Sequence, residues 1–230
     1  MTLTEKLVNI LIRAITGTVC KVNTSQLNRV PMQGPLIMAC NHVNFLEAPI
    51  LYTRLQPRPV TGFSKIESWD KWWMAKLFDL WDIIPIKRFT ADSQAIRRGL
   101  AALEQNVFLA VAPEGTRSGN GVMQQAYPGV VLMALHSGAP IQPVAFHGAE
   151  NFWDNMKKLR RTEFNIEVGR PFYVKPNSEK PDRNVRARIL DEIMYQIAAL
   201  LPEQYRGVYT DLSKATDTYL EFLPDSVNFA

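Results

Sequence analysis

Short, mainly apolar runs recur along this chain, and segments with helical spacing separate them. The runs are five to seven residues long, which suits strands buried in a sheet. They lie at residues 36–40, 59–63, 82–86, 107–111 and 141–147. Because strands that alternate with helices usually pair in parallel, the pattern predicts an α/β fold. We expect a single domain with a mixed, largely parallel sheet flanked by helices.

Further elements are predicted from local spacing. Residues 129–137 and 183–200 have apolar side chains at helical intervals. Asp92 or Ser93 fits the N-cap of the helix before the strand at 107–111. Apolar residues alternate over residues 163–169, which predicts an edge strand.

The two ends of the chain differ from the central part. Residues 1–28 are predicted to form an amphipathic helical segment, since residues 5–18 carry a wide apolar face. Such a helix packs on a core or lies in a membrane surface, and the sequence leaves both open. No window reaches the roughly 18 apolar residues of a spanning helix. Residues 29–205 are predicted as the functional domain and residues 206–230 as a C-terminal tail.

Charge and cysteine content exclude several classes of function. The 26 basic and 22 acidic residues give a net charge of +4, a mild excess that predicts no nucleic-acid partner but suits an anionic membrane. Cys20 and Cys40 lack CxxC spacing, so neither a disulfide framework nor a zinc site is predicted. A reducing cytoplasmic compartment is expected. The chain also lacks the glycine-rich loops of nucleotide-binding proteins.

His42 is the histidine whose position suggests chemistry. It follows a buried strand, where side chains of α/β sheets meet ligands, whereas His136 and His147 have plain structural interpretations. Glu47 comes five positions later. Five residues of a continuous helix rotate the pair about 140° apart, so they meet only across a strand-to-helix turn. A carboxylate there would accept the Nδ1–H and leave Nε2 free as a base.

A second polar motif directly follows the strand at 107–111. Gly115 allows close approach of the backbone, Thr116 offers a hydroxyl, and Arg117 offers a planar fork that suits phosphate. The alternative is a turn stabilised by contact between Arg117 and Glu114. The motif taken alone does not decide between the two interpretations.

The motifs become specific when they are taken together and in order. The blocks are Asn41-His42, Phe63-Ser64-Lys65-Ile66-Glu67, Ile84-Pro85-Ile86-Lys87-Arg88, Pro113-Glu114-Gly115-Thr116-Arg117-Ser118 and Gly138-Ala139-Pro140-Ile141-Gln142-Pro143-Val144. Over roughly residues 30–150 this order resembles the glycerolipid acyltransferase family, typified by the 1-acyl-glycerol-3-phosphate acyltransferases.

The resemblance implies a reaction. A fatty acyl group would pass from an acyl thioester, carried by CoA or acyl carrier protein, to the hydroxyl of a lysophospholipid such as 1-acyl-glycerol-3-phosphate. His42 would be the catalytic base and Glu47 its orienting group. The family needs no metal and no cofactor beyond the thioester co-substrate.

The resemblance also implies roles for residues around the base. Lys65 would help to shape the site of the acyl donor. Residues that would hold the glycerol-phosphate head of the acceptor are Arg88, Glu114, Gly115, Thr116 and Arg117.

Two residues depart from the family pattern. Glu47 stands where the family has Asp, and its longer side chain reaches Nδ1 only from a shifted backbone. Tyr127 stands where a basic residue is expected, which removes one phosphate contact. Two alternatives therefore stay open: acyl transfer to another lysolipid or to a glycolipid hydroxyl, and a non-catalytic lipid-binding protein with a degenerate site.

Lipid substrates imply a peripheral position on the cytoplasmic face of a membrane. Residues 69–81 hold four of the five tryptophans together with Lys71 and Lys76, a composition that suits either a membrane interface or a core. The four basic residues of the stretch 157–161 could face anionic headgroups or simply be solvated.

Overall fold

The computed structural model describes residues 2–88, 90, 92–176 and 181–224. The strands are β1 (Cys20–Asn23), β2 (Leu36–Cys40), β3 (Val60–Lys65), β4 (Ile84–Ile86), β5 (Phe108–Val111), β6 (Ile141–His147), β7 (Thr162–Val168), β8 (Phe172–Val174) and β9 (Leu220–Phe222). The α-helices are α1 (Leu3–Val19), α2 (Glu47–Leu55), α3 (Trp72–Leu80), α4 (Ser93–Glu104), α5 (Gly129–Ser137), α6 (Phe152–Lys157) and α7 (Arg183–Ala198).

One mixed sheet joins these strands in the order β1-β7-β6-β2-β5-β3-β4, and β8 pairs with β6 and β9. The pairs β6–β2, β2–β5, β5–β3 and β3–β4 are parallel, and so is the pair β1–β7. The pairs β6–β7, β6–β8 and β8–β9 are antiparallel. The predicted fold class, a mixed and largely parallel sheet flanked by helices, is confirmed.

The central strand β2 shows how the core is layered. All five of its residues are buried, as expected for a strand covered on both faces. Ile37 and Ala39 belong to the cluster on one face, which the apolar sides of α5 and α7 complete. Leu36 and Met38 belong to the opposite cluster, which includes Ile50 of α2. Alternate side chains of one strand therefore stabilise both layers.

The predicted edge strand is wrong in one respect. Residues 163–169 do correspond to a strand, β7, but β1 pairs along its outer side with Cys20 opposite Thr162. Alternation of apolar side chains reports which face of a strand is buried. It carries no information about hydrogen bonding along the strand's edges, so β7 could not be distinguished from an edge strand.

Both end segments contribute to the sheet. Strand β1 lies within residues 1–28, where α1 ends at Val19 and the sheet begins at Cys20. Strand β9 lies within residues 206–230 and extends the sheet beyond β8. The division of the chain at residues 28 and 205 stays a prediction.

The sheet brings the ends of β2, β5 and β6 to one edge. The Asn41 side chain, directly after β2, donates to the Phe146 carbonyl at 2.9 Å and accepts from the Phe146 amide at 2.8 Å. These bonds extend the β2–β6 pairing by one residue beyond Cys40 and fix the start of the loop that carries His42. Cys20 and Cys40 are buried free thiols.

Candidate active site

The turn between β2 and α2 joins His42 to Glu47. The His42 Nδ1 lies 2.6 Å from Glu47 Oε2, which confirms the predicted contact between them. Glu47 is the first residue of α2 and is buried. Its carboxylate also accepts the Asn44 amide at 2.9 Å. Because the carboxylate is held from two sides, it can fix the orientation of the imidazole ring.

Asn44 shapes this turn. Its side-chain oxygen accepts the Leu46 amide at 2.8 Å, and its side-chain nitrogen donates to the Ala149 carbonyl at 2.8 Å. An asparagine that bonds the backbone two residues ahead is a common way of forming a tight turn. The second bond connects the turn to the loop after β6. The sequence suggested the turn but not this cross-connection.

Arg117 lies on the other side of the imidazole. Its Nε is 3.4 Å from His42 Nε2, a long hydrogen bond. A guanidinium in a protein keeps its protons, so Arg117 donates and Nε2 accepts. The Nδ1 then carries the proton and donates a hydrogen bond to Glu47. The two neighbours of His42 therefore select the tautomer that has a lone pair on Nε2.

The loop after β5 reaches His42 through backbone bonds. The Ser118 amide donates to the His42 carbonyl at 2.8 Å, and the Gly119 amide donates to the Val43 carbonyl at 2.9 Å. These bonds lay the loop along the histidine turn and place Arg117 beside the imidazole. This pairing between backbone groups could not be predicted from the types of the side chains in the sequence.

Glu114 faces the interior. Its carboxylate accepts the His42 amide at 3.2 Å and the Gln124 amide at 2.9 Å, and the residue is 1% exposed. Burial raises the pKa of Glu114 from 4.5 to about 7, although the two amides oppose the shift and Glu47 adds to it. Both hydrogen bonds join this side chain to the protein backbone. Contact between Glu114 and an acceptor stays a prediction, as does contact by Thr116, which is half-buried in the same turn.

Gly115 and Tyr127 pack together. Gly115 has φ +69°, a conformation that favours glycine. A Cβ at this position would lie 3.4 Å from the Tyr127 ring. The Tyr127 amide donates to the Pro113 carbonyl at 2.8 Å, and the side chain is 54% exposed. Tyr127 thus lies against the turn that holds Glu114 and Arg117, at the position where a basic residue was expected.

Lys65 and Arg88 lie at the same edge of the sheet. Lys65 is the exposed last residue of β3, and Arg88 follows β4. Burial lowers the pKa of Arg88, and the positive charge of Arg117 lowers it further, while Glu67 acts in the opposite direction. The structure thus brings Arg88 into the field of Arg117, while a contact of Lys65 with the acyl donor stays a prediction.

Residues 2–88, 90, 92–176 and 181–224 contain no group of three or more His, Cys, Asp or Glu side chains suited to hold a metal ion. The predicted absence of a metal and of a further cofactor stays a prediction.

The histidine–carboxylate pair lies at the carboxyl edge of the parallel strands, where α/β proteins bind their ligands. A family model described as Acyltransferase matches residues 21–147, more than half of the 230 residues. The chain belongs to the acyltransferase family, as the sequence motifs predicted.

Individual relatives are more distant. A probable 1-acyl-sn-glycerol-3-phosphate acyltransferase of Mycoplasma pneumoniae is 28% identical over 61% of this chain and 54% of its own length. A lyso-ornithine lipid O-acyltransferase of Pseudomonas aeruginosa is 28% identical over 48% of this chain and 42% of its own length. The chain thus spans about half the length of these curated relatives.

A solved structure supports the fold. The 1-acyl-sn-glycerophosphate acyltransferase PlsC of Thermotoga maritima superposes with a TM-score of 0.58 at 19% identity. The match covers 85% of this chain and 81% of that one. The shared architecture extends beyond the residues that the family model matches.

The Glu114→Gln variant is expected to change how stability depends on pH. Because folding raises the Glu114 pKa from 4.5 to about 7, the folded state binds more protons between these values. The stability that this group contributes is present below pH 4.5 and is lost as the pH rises through 7. As the pH rises from 4.5 to 8, the unsubstituted protein should lose this stability and the variant should not. At about 1.4 kcal/mol per pKa unit, the free energy of unfolding of the variant should therefore gain about 1–3 kcal/mol relative to that of the unsubstituted protein.

Urea unfolding at several values between pH 4.5 and 8 measures this difference. Glu104→Gln is the control, since Glu104 is exposed at the end of α4. Its profile should run parallel to that of the unsubstituted protein. A parallel profile for Glu114→Gln as well would contradict the burial of an ionisable carboxyl group.

Proposed function

We propose that this chain transfers a fatty acyl group from an acyl thioester to the hydroxyl of a lysophospholipid, with His42 as the general base. The observation that carries the proposal is the pair of contacts on the imidazole. Glu47 accepts a hydrogen bond from Nδ1–H, and Arg117 faces the Nε2 lone pair. A histidine with this tautomer, held at the end of a buried strand, is oriented to accept a proton.

The proposed reaction proceeds by direct attack. The acceptor hydroxyl displaces the long Arg117 contact from Nε2. Nε2 takes the proton of this hydroxyl, and the hydroxyl oxygen forms a bond with the thioester carbonyl carbon. The tetrahedral oxyanion then expels the sulfur, the C–S bond breaks, and the imidazolium returns the proton to the thiolate. Glu47 stabilises the imidazolium between these steps, as the carboxylate does in a catalytic triad.

Charge supports an anionic headgroup on the acceptor. Burial lowers the pKa of Arg88, and repulsion by the positive charge of Arg117 lowers it further. A phosphate bound near both guanidiniums would relieve this repulsion and accept hydrogen bonds from each. We therefore favour 1-acyl-glycerol-3-phosphate as the acceptor, which is also the substrate named for the Mycoplasma pneumoniae relative.

A second acceptor class has its own support. Tyr127 occupies the position of an expected basic residue and exposes its ring beside the Gly115 turn. The Pseudomonas aeruginosa relative is named for a lyso-ornithine lipid, whose headgroup is an amino acid. A panel of acceptors that contains both lipids therefore decides the headgroup class.

The base is tested by His42→Ala and Glu47→Gln, with His136→Ala as the control. General-base removal should lower the rate by about 10²–10⁴. Glu47→Gln should cost less, because the amide oxygen still accepts Nδ1–H while its NH₂ group opposes the Asn44 amide. His136 is exposed on α5, so its variant should keep the full rate.

Release of free thiol from acyl-CoA in the presence of acceptor measures these rates. A folded His42→Ala variant with an unchanged rate would remove histidine from the mechanism. Absence of acceptor-dependent thiol release from the unsubstituted protein, with both acyl-CoA and an acyl carrier protein thioester, would favour a non-catalytic lipid-binding protein.

Arg117→Gln tests recognition of the headgroup. Loss of a charged hydrogen bond to phosphate should raise the KM for lysophosphatidic acid about 10- to 100-fold. The KM for monoacylglycerol, which has no charge, should change little. Arg98→Gln, exposed on α4, is the control and should leave both values unchanged. Equal losses with both acceptors would show that Arg117 acts on the reaction rather than on the phosphate.

The outer face of α1 supports a position on a membrane. Leu7, Ile10 and Leu11 are 60–65% exposed, whereas Asn9 on the inner face accepts the Trp81 indole N–H at 2.9 Å. Exposed Trp72 lies on α3 with Lys76 over its ring. Apolar side chains in water are stabilised by burial in lipid, so we propose that α1 lies in the membrane surface. No helix in the described ranges is long and apolar enough to cross a bilayer.

Leu11→Gln is expected to weaken binding to vesicles of phosphatidylglycerol and phosphatidylcholine. Removing one leucine from lipid should lower the partition coefficient roughly tenfold. Glutamine keeps helix propensity close to that of leucine, so α1 should still form. Co-sedimentation measures the coefficient. Met32→Gln is the control, because Met32 is exposed on the loop before β2. Equal binding by the Leu11 variant would contradict the membrane position of α1.

A further inference from the structure

A second exposed apolar surface lies next to the histidine turn. We call it the α6 patch, and it consists of Phe45, Trp153, Met156 and Leu159, which are 37%, 60%, 38% and 97% exposed. The Phe45 ring packs 5.6 Å from that of Trp153, so the turn after β2 and helix α6 form one surface. Phe45 follows His42 by three residues. The patch therefore borders the proposed catalytic base.

Leu159 holds a backbone conformation that is unfavourable for leucine. Its φ is +52°, and the Arg160 amide donates to the Asn155 carbonyl at 2.8 Å, which closes the end of α6. Glycine normally occupies this left-handed position after a helix, since a Cβ is strained there. With 97% of Leu159 exposed, packing within the protein does not offset the strain. A strained residue kept without local benefit points to a function outside the fold.

Basic residues flank Leu159 along the chain. We call them the basic rim; they are Lys157, Lys158, Arg160 and Arg161, and all are exposed. Arg161 also donates to the carbonyls of Gly17 and Cys20, at 2.6 and 2.7 Å. The α6 patch thus adjoins the C-terminal end of α1.

We propose that the α6 patch inserts into the surface of an anionic bilayer as a second contact beside α1. The aromatic rings would lie at the level of the headgroups, Leu159 would enter the acyl region, and the basic rim would face lipid phosphates. This contact would bring the mouth of the His42 site to the lipid phase. The inference extends the proposed function, because it assumes that the substrates lie in a membrane.

The composition of the patch favours lipid over a protein partner. Protein interfaces are depleted in lysine, and stable ones bury about 1,000 Å² or more. The α6 patch has four apolar side chains on one short helix and two adjacent turns, with lysines beside the most exposed of them. A fluid anionic surface fits such a small protruding group without a complementary groove.

The first experiment places a reporter at Leu159. Cys20 and Cys40 are buried, so Leu159→Cys adds one exposed thiol that can carry a polarity-sensitive fluorophore. Vesicles of phosphatidylglycerol and phosphatidylcholine should shift its emission to the blue, and vesicles of phosphatidylcholine alone should shift it less. The same label on Met32→Cys should not respond. An unchanged emission at position 159 overturns the proposal.

The second experiment separates insertion from folding. Leu159→Gly relieves the positive φ, so its Tm should equal or exceed that of the unsubstituted protein. Its partition onto anionic vesicles should nevertheless fall roughly tenfold, as expected for loss of one inserted leucine. Binding that is unchanged would overturn the proposal.

Activity assays distinguish this proposal from the proposed function. With a short-chain acceptor that stays monomeric in water, Leu159→Gly should keep the full rate, and with acceptor embedded in vesicles it should be slower. If the unsubstituted protein transfers no acyl group to either acceptor, the proposed function fails while the fluorophore still tests insertion. If the variant is slower only with an acyl carrier protein thioester and binds vesicles normally, the patch docks a protein and the lipid assignment is wrong.

Discussion

A buried carboxylate connects the two loops on which the site is built. Glu114 accepts the amide of His42 through one oxygen and the amide of Gln124 through the other. His42 lies in a turn, where no helical or sheet ladder fixes its backbone. The position of the imidazole therefore depends on this carboxylate, on the Asn44 turn and on the paired amides of Ser118 and Gly119.

The proposed chemistry and the proposed membrane contacts share one geometric origin. Strands β2, β5 and β6 run in parallel, so their following loops gather at one edge. The loop after β2 provides His42 and Phe45, and the segment after β6 provides Trp153. The sheet topology thus places a proton-accepting side chain beside the apolar groups that we assign to lipid.

The sequence predicted the features that depend on local pattern. Buried strands such as β2 and β6 stand out because apolar residues are continuous there, and the spacing of His42 and Glu47 required a turn between them. Strand β1 could not be predicted, since Lys21 and Asn23 interrupt its apolar residues and leave no continuous apolar run. The tryptophans of residues 69–81 divide between the core, where Trp81 is 2% exposed, and the surface, where Trp72 is 73% exposed. Only tertiary packing makes that division.

The inward orientation of Glu114 also could not be predicted from local pattern, because it depends on tertiary structure. It has a consequence for how the headgroup preference of such a site can change. Two residues separate Glu114, which holds the histidine backbone, from Arg117, which we assign to the headgroup. A change anywhere in this turn would alter turnover and selectivity together. Tyr127 packs against Gly115 in this turn, and the residue is largely exposed. Under the proposed function, substitutions at position 127 would change headgroup preference while His42 and Glu47 stay in place, which makes it the natural position for redesigning the acceptor range.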